Sequence, residues 1–207
     1  LQLKPFEGAR VVAGQTGLQR PVAWVHTVGV PDAAQWLNGG ELVISTANNL
    51  PQDANGQRRY ILELVDKHVA GLIIAVGKLI DSIPDAMCDV ANRNNFPLIE
   101  IPYTARFIDL VRAANEQIAQ DNMEQIKRSL DIHKTLTRLV LEGGGIRELT
   151  ETLARLINQS VSIETERFEA LASVNITAVD EARLYTQEYG RTDPRLVEAL
   201  EAEVLPK

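Results

Sequence analysis

The chain has 207 residues, of which 45% are hydrophobic, 24% charged and 5% aromatic, enough to bury one large core or two small ones. Its 21 Lys and Arg stand against 28 Asp and Glu, a net charge of −7, which argues against holding nucleic acid through a bulk positive field. The single cysteine, Cys88, excludes an internal disulfide framework and a thiolate-rich metal site. No apolar run reaches the roughly 20 residues of a membrane-spanning helix, and no secretory signal opens the sequence, so a cytoplasmic location is expected.

Residues 1–105 carry 8 basic and 10 acidic groups, residues 106–142 carry 6 and 6, and residues 143–207 carry 7 and 12. The first segment alternates strand and helix. Strands are predicted at Val22–Val28, Glu41–Ser45, Gly71–Val76 and Pro97–Ile101, with a weaker one at Arg10–Ala13. Between them, Asp32 is expected to cap a short helix through Leu37, which Gly39 and Gly40 stop. Tyr60, Ile61, Leu64, Val65 and Val69 follow a 3.6-residue period, and Pro84 opens a third helix. The continuously apolar run Gly71–Val76 suits a strand covered on both faces. An α/β domain with a mostly parallel sheet flanked by helices follows.

From Arg106 to Glu142 there is no Gly or Pro. Phe107, Val111, Ala114 and Ile118, then Ile126, Leu130, His133, Thr137 and Val140, step by threes and fours, with Asn122 at a stutter between the two sets. Such a helix would run about 54 Å, longer than a small domain is wide, which favours a dimerising coiled coil over a helix folded back on its own domain. His133 in this seam reads as a packed polar residue. The last segment begins at Gly143-Gly144-Gly145, a flexible joint. It continues as a helix from Ile146 to Asn158, two strands (Ser160–Glu164 and Arg167–Ser173), and helices at Ala178–Tyr189 and Asp193–Val204. Two strands make a poor core alone, so this segment reads as part of an α+β domain.

The catalytic inventory is thin. No histidine pair has metal-ligand spacing, no nucleophile elbow or phosphate loop is present, and Cys88 on a helix reads as a structural thiol. A non-enzyme without cofactor or metal is the expectation. In open parallel sheets, ligands lie beyond the carboxyl ends of strands. There the sequence offers Ser45, Thr46 and Asn48 as neutral hydrogen-bonding groups, Lys78 as a cation, Glu100 as an acceptor, and His26. These six are the candidate effector-binding residues, although Ser, Thr and Asn also cap turns everywhere. An enzyme built on Glu100, Lys78 or His26 is a lesser alternative and requires their side chains to converge. Trp24 and Trp36 read as core or interface anchors.

Four motifs occur in a distinctive order. They are Val11-Val12-Ala13-Gly14 through Gly17-Leu18-Gln19-Arg20-Pro21-Val22 and Trp24-Val25-His26, Trp36-Leu37-Asn38-Gly39-Gly40-Glu41-Leu42-Val43-Ile44-Ser45-Thr46, Val69-Ala70-Gly71-Leu72, and Phe96-Pro97-Leu98-Ile99-Glu100-Ile101-Pro102. Over about residues 5–120 the chain thus resembles the amino-terminal domain of the purine-catabolism-regulator-like (PucR-like) bacterial transcription factors. The segment from Leu136 to Ser173 looks like the entry to that family's GAF-like middle region. The resemblance implies a sensory domain (1–105), a linker and dimerisation helix (106–142) and a partial GAF-like region (143–207). It implies DNA contact only through a carboxyl-terminal helix-turn-helix, for which this chain has no basic recognition helix, while the long helix leads to the expectation of a homodimer and the strand-end residues to that of a small polar effector. Family members often have Thr-Thr-Gly after the Leu-Val strand, where this chain has Ser45-Thr46-Ala47. The alternative is a structural dimerisation module without ligand binding.

Overall fold

The computed structural model describes residues 3–176 and 181–204, the side chains of 181–183 and 200–204 excepted. The chain divides into two compact units, Leu1–Met123 and Glu124–Lys207.

The first unit is built on a five-stranded sheet of β1 (Arg10–Ala13), β2 (Trp24–Thr27), β3 (Glu41–Thr46), β4 (Gly71–Val76) and β5 (Leu98–Pro102), in the order β1-β5-β4-β3-β2. β2 to β5 run parallel and β1 closes one edge antiparallel to β5. Helices α1 (Ala54–Asp66) and α2 (Asp85–Arg93) join the central strands. Asp53 caps α1, its carboxylate accepting the Asn55 and Gly56 N–H groups at 3.1 and 2.9 Å. Pro84 stands at the N-cap of α2. One face of the sheet packs Val43, Leu72, Ile74 and Leu98 with Ile61 and Leu64 of α1 and Met87 of α2. The other packs Ile44, Ile73, Ile99 and Ile101 with Leu110 and Ala114, the first turns of the long helix α3 (Phe107–Leu141). β4 is therefore covered on both sides, as its unbroken apolar sequence requires.

The segment after Asp32 is a 3-10 turn, Ala33–Trp36, and the Asp32 side chain does not cap it. It is held by Ala33, Ala34 and Leu37, all buried, whereas Trp36 is 69% exposed and Trp24 53% exposed. Of the two roles expected for the tryptophans, core or interface anchor, these exposures leave out the core one. Gly14, at φ 68°, lies against the backbone of Phe96, where any Cβ would collide with the Phe96 carbonyl. Its N–H donates to Asn92 Oδ1 at 2.8 Å, tying the end of β1 to the end of α2. The glycine that closes the first motif is thus required by close approach.

In the second unit, α4 (Ile146–Ile157) packs on the antiparallel hairpin of β6 (Val161–Glu164) and β7 (Ala170–Val174), with Thr150 and Ala154 buried. α5 (Glu181–Tyr189) and α6 (Pro194–Val204) follow. Residues 178–180 of the expected helix lie outside the described residues. The triple glycine forms a capped turn. The Gly143 and Gly144 amides donate to Val140 and Leu139 at 3.0 and 2.9 Å, and Gly145 is the N-cap of α4.

Candidate functional site

The six candidate residues do not form one cluster. Glu100 is buried at 5% exposure, and both its oxygens are engaged. Oε2 accepts the Arg10 guanidinium at 2.7 Å and Oε1 accepts the Ile83 amide at 2.8 Å. The same carboxylate raises the Arg10 guanidinium above its ordinary value, by its hydrogen bond first and its charge second. Lys78 is exposed. Its Nζ donates to Tyr103 Oη at 3.2 Å and lies 4.5 Å from that ring's centre. Ser45 is buried and donates to the Thr46 carbonyl at 3.0 Å, while Thr46 is half-buried and Asn48 exposed.

Strand register separates them further. Ser45, Ile74 and Glu100 stand in one row across β3, β4 and β5, so two strand spacings, about 10 Å, part Ser45 from Glu100. His26 sits on the edge strand β2, three spacings or about 14 Å from β5. Glu100, Lys78 and His26 therefore do not converge, and the catalytic set they would compose does not form. Cys88 is half-buried, and burial, followed by the charges of Asp85, Glu100 and Asp89, pushes its thiol up, the direction opposite to that of an activated thiolate.

His26 belongs instead to a pocket of about 420 Å³ at the β2 edge, with Trp24, Trp36, Asn38, Glu41 and Asn115 in its wall. Trp24 and Glu41 are paired first residues of β2 and β3, so this pocket opens at the amino end of the sheet, opposite the carboxyl edge. Glu41 is 1% exposed, and its two oxygens accept the Asn38 and Gly39 amides, each at 2.8 Å. Burial pushes this carboxyl upward. The Asn38, Glu41 and Gly39 amides and the Trp24 side chain outweigh it and hold the group below the usual carboxylate range.

Asn115 of α3 completes the wall. Its Oδ1 accepts the Val25 amide at 2.8 Å and its Nδ2 donates to the Val25 carbonyl at 3.2 Å. One side chain thereby satisfies both backbone groups that an edge strand otherwise leaves open. Sequence reasoning missed Glu41 and Asn115. The signal for Glu41 was the preceding Gly39-Gly40, a turn whose amides need an acceptor. Asn115 carries a weaker signal, as a polar residue among the core-facing positions Val111, Ala114 and Ile118.

The model of the purine catabolism regulatory protein-like family matches residues 1–118, which span the five-stranded sheet and the start of α3. Among curated proteins, the chain is 24% identical over 184 residues to the purine catabolism regulatory protein of Bacillus subtilis (strain 168), covering 89% of this chain and 35% of that protein. It is 23% identical over 130 residues to the transcriptional activator PmfR of Paenarthrobacter nicotinovorans, covering 63% of this chain and 28% of that one. The matched regions thus span about a third of these relatives' lengths. With more than half its residues inside the family model, the chain belongs to the purine catabolism regulatory protein-like family.

Proposed function

We propose that this chain is the regulatory portion of a cytoplasmic transcriptional regulator, with a regulatory rather than catalytic role. Residues 1–105 receive a small polar effector, residues 106–142 form a dimerising helix, and residues 143–207 begin a GAF-like region. DNA is bound by a helix-turn-helix elsewhere in the whole protein. The family match over residues 1–118, with relatives named as a purine catabolism regulatory protein and a transcriptional activator, carries this reading. On the carboxyl edge, Thr46 and Asn48 are the more accessible groups, since Glu100, Lys78 and the buried Ser45 have internal partners that an effector would have to displace.

The character of α3 supports the signalling role. Leu110 and Ala114 are buried in the core beneath the sheet, while residues 119–131 are all exposed. Met123, Ile126, Leu130, His133, Thr137 and Val140 repeat at intervals of three and four, with Ile126, Leu130 and Val140 each at least half exposed. That stripe suits the same stripe of a second copy. An effector would shift the pairing equilibrium only by its differential affinity for the two packings.

A second reading, a dimerisation module without ligand binding, is favoured by the internal pairing of Glu100 and Lys78. A thermal-shift panel of purines, ureides, amino acids and small carboxylates separates the two. A ligand at a hundredfold excess over Kd stabilises by about 2.7 kcal/mol, a shift of roughly 5–10 °C for a chain of this size. A hit weakened by Ser45→Ala supports the sensory reading. Silence across the panel, with a dimer in solution by light scattering, supports the scaffold.

A further inference from the structure

We infer that Trp24, Trp36 and Glu41 form a binding site for a small organic cation, of the quaternary or alkylated ammonium class. The two indoles are the largest side chains the first unit leaves in water, at 53% and 69% exposure. The 3-10 turn that carries Trp36 is anchored by Ala33, Ala34 and Leu37, so the fold does not use the Trp36 ring. Both tryptophans line the same 420 Å³ pocket, within the size range of small-ligand sites.

Its charge selects the ligand. Glu41 places a buried carboxylate in the wall, fixed by the amides of Asn38 and Gly39 and by the Trp24 side chain, and held ionised. No Lys or Arg lines the pocket, and His26 is its one basic side chain. An anion would meet the carboxylate and the negative faces of the indoles without compensation. A neutral planar molecule could stack, but it would gain nothing from the charge. A cation gains from both, because an aromatic face attracts positive charge most strongly when the face is indole. Among the described residues, the His26 imidazole and the Asn38 amide side chain have no hydrogen-bond partner, which leaves them for a hydroxyl or carbonyl on the same ligand.

This inference concerns binding alone and stands whether or not the first unit signals. The chain has two tryptophans, both in this pocket, so intrinsic fluorescence reads the site without background. The full chain is titrated with choline chloride against sodium chloride of equal ionic strength, and with 3,3-dimethylbutan-1-ol, the uncharged isostere. The expected result is a saturable change with choline, at least tenfold weaker with the alcohol. Trp36→Ala, read through Trp24, should weaken binding about tenfold while leaving the melting temperature in place. Trp24→Phe, read through Trp36, gives the same comparison if Trp36→Ala disturbs the fold. Equal saturation by choline and the alcohol overturns the cation assignment, and no saturation by either overturns the site. A blue-shifted emission that reddens on dilution would mean that a second copy covers the indoles, and it also overturns the inference.

Discussion

Glu100 offers the sharpest test of the physical account, because sequence reasoning places it among the effector ligands and the structure gives it internal work. Its carboxylate accepts the buried Ile83 amide at 2.8 Å and the Arg10 guanidinium at 2.7 Å, but the two bonds are unequal. The Arg10 side chain is 72% exposed and returns to water if Glu100 is removed. The Ile83 amide cannot, and a buried donor left without a partner costs about 1–3 kcal/mol. Glu100→Ala should therefore cost about 2–4 kcal/mol once the lost packing is included, at the low end of what breaking a buried ionic contact costs. Glu100→Gln keeps an oxygen for Ile83 and should cost about 1 kcal/mol. Arg10→Ala should cost less than either. Urea unfolding followed by tryptophan fluorescence reports on this unit, since Trp24 and Trp36 both lie in it. If Arg10→Ala proves as costly as Glu100→Ala, the ion pair and not the amide carries the effect. If Glu100→Ala is neutral, the carboxylate has no structural role, and its assignment as an effector ligand regains force.

Three further outcomes are expected. The folded-state carboxyl of Glu41 lies below its ordinary value of 4.5, so the stability it contributes is complete above about pH 4.5 and is lost as pH falls through the lower folded value. Urea midpoints of Glu41→Gln and the wild type should accordingly differ at pH 7 and converge towards pH 3, and a constant difference would contradict the sign. Asn115→Ala removes both side-chain bonds to Val25, at a cost of about 1–3 kcal/mol, and hydrogen exchange should quicken at the Val25 amide in particular. Exchange there at the wild-type rate would show that Asn115 does not seal the strand. Ile126→Glu with Leu130→Glu should convert a dimer to a monomer by light scattering without lowering the melting temperature of the first unit, as both side chains are more than half exposed. A dimer that survives the double substitution places its interface elsewhere.

The parts of this molecule that were legible in sequence are those fixed by local pattern. Gly71–Val76 is read to the residue as the doubly covered strand, because six apolar residues between helices have one stable place, the middle of a parallel sheet. The unbroken stretch from Arg106 to Glu142 likewise becomes α3, Phe107–Leu141. What was not legible depends on partners far along the chain. Nothing near Glu100 shows that Arg10, ninety residues earlier, would meet it, or that the loop before α2 would turn the Ile83 amide towards it. The tryptophans make the same point, since an aromatic of that size suits a core or an interface alike, and only the fold shows that Ala33, Ala34 and Leu37 are the buried residues of their turn.

α3 shows how one helix can serve two surfaces, and why a single hydrophobic seam was too simple a reading of it. Phe107, Val111, Ala114 and Ile118 pack on the sheet of the first unit. Further on, from Met123 onward, two stripes run side by side. Ile132, Thr135, Leu136 and Leu139 are half-buried, with Ile132 and Thr135 lining the same hollow as Leu156 of α4. Met123, Ile126, Leu130 and Val140 are exposed. The inner stripe follows the i, i+3, i+4, i+7 spacing of a helix resting on its own unit. The outer stripe follows the heptad spacing of a helix that meets another like it. An isolated helix gains nothing by keeping a heptad of Met, Ile, Leu and Val in water. The outer stripe is therefore the surface that the proposed dimer would bury, and the one that the double substitution at Ile126 and Leu130 tests.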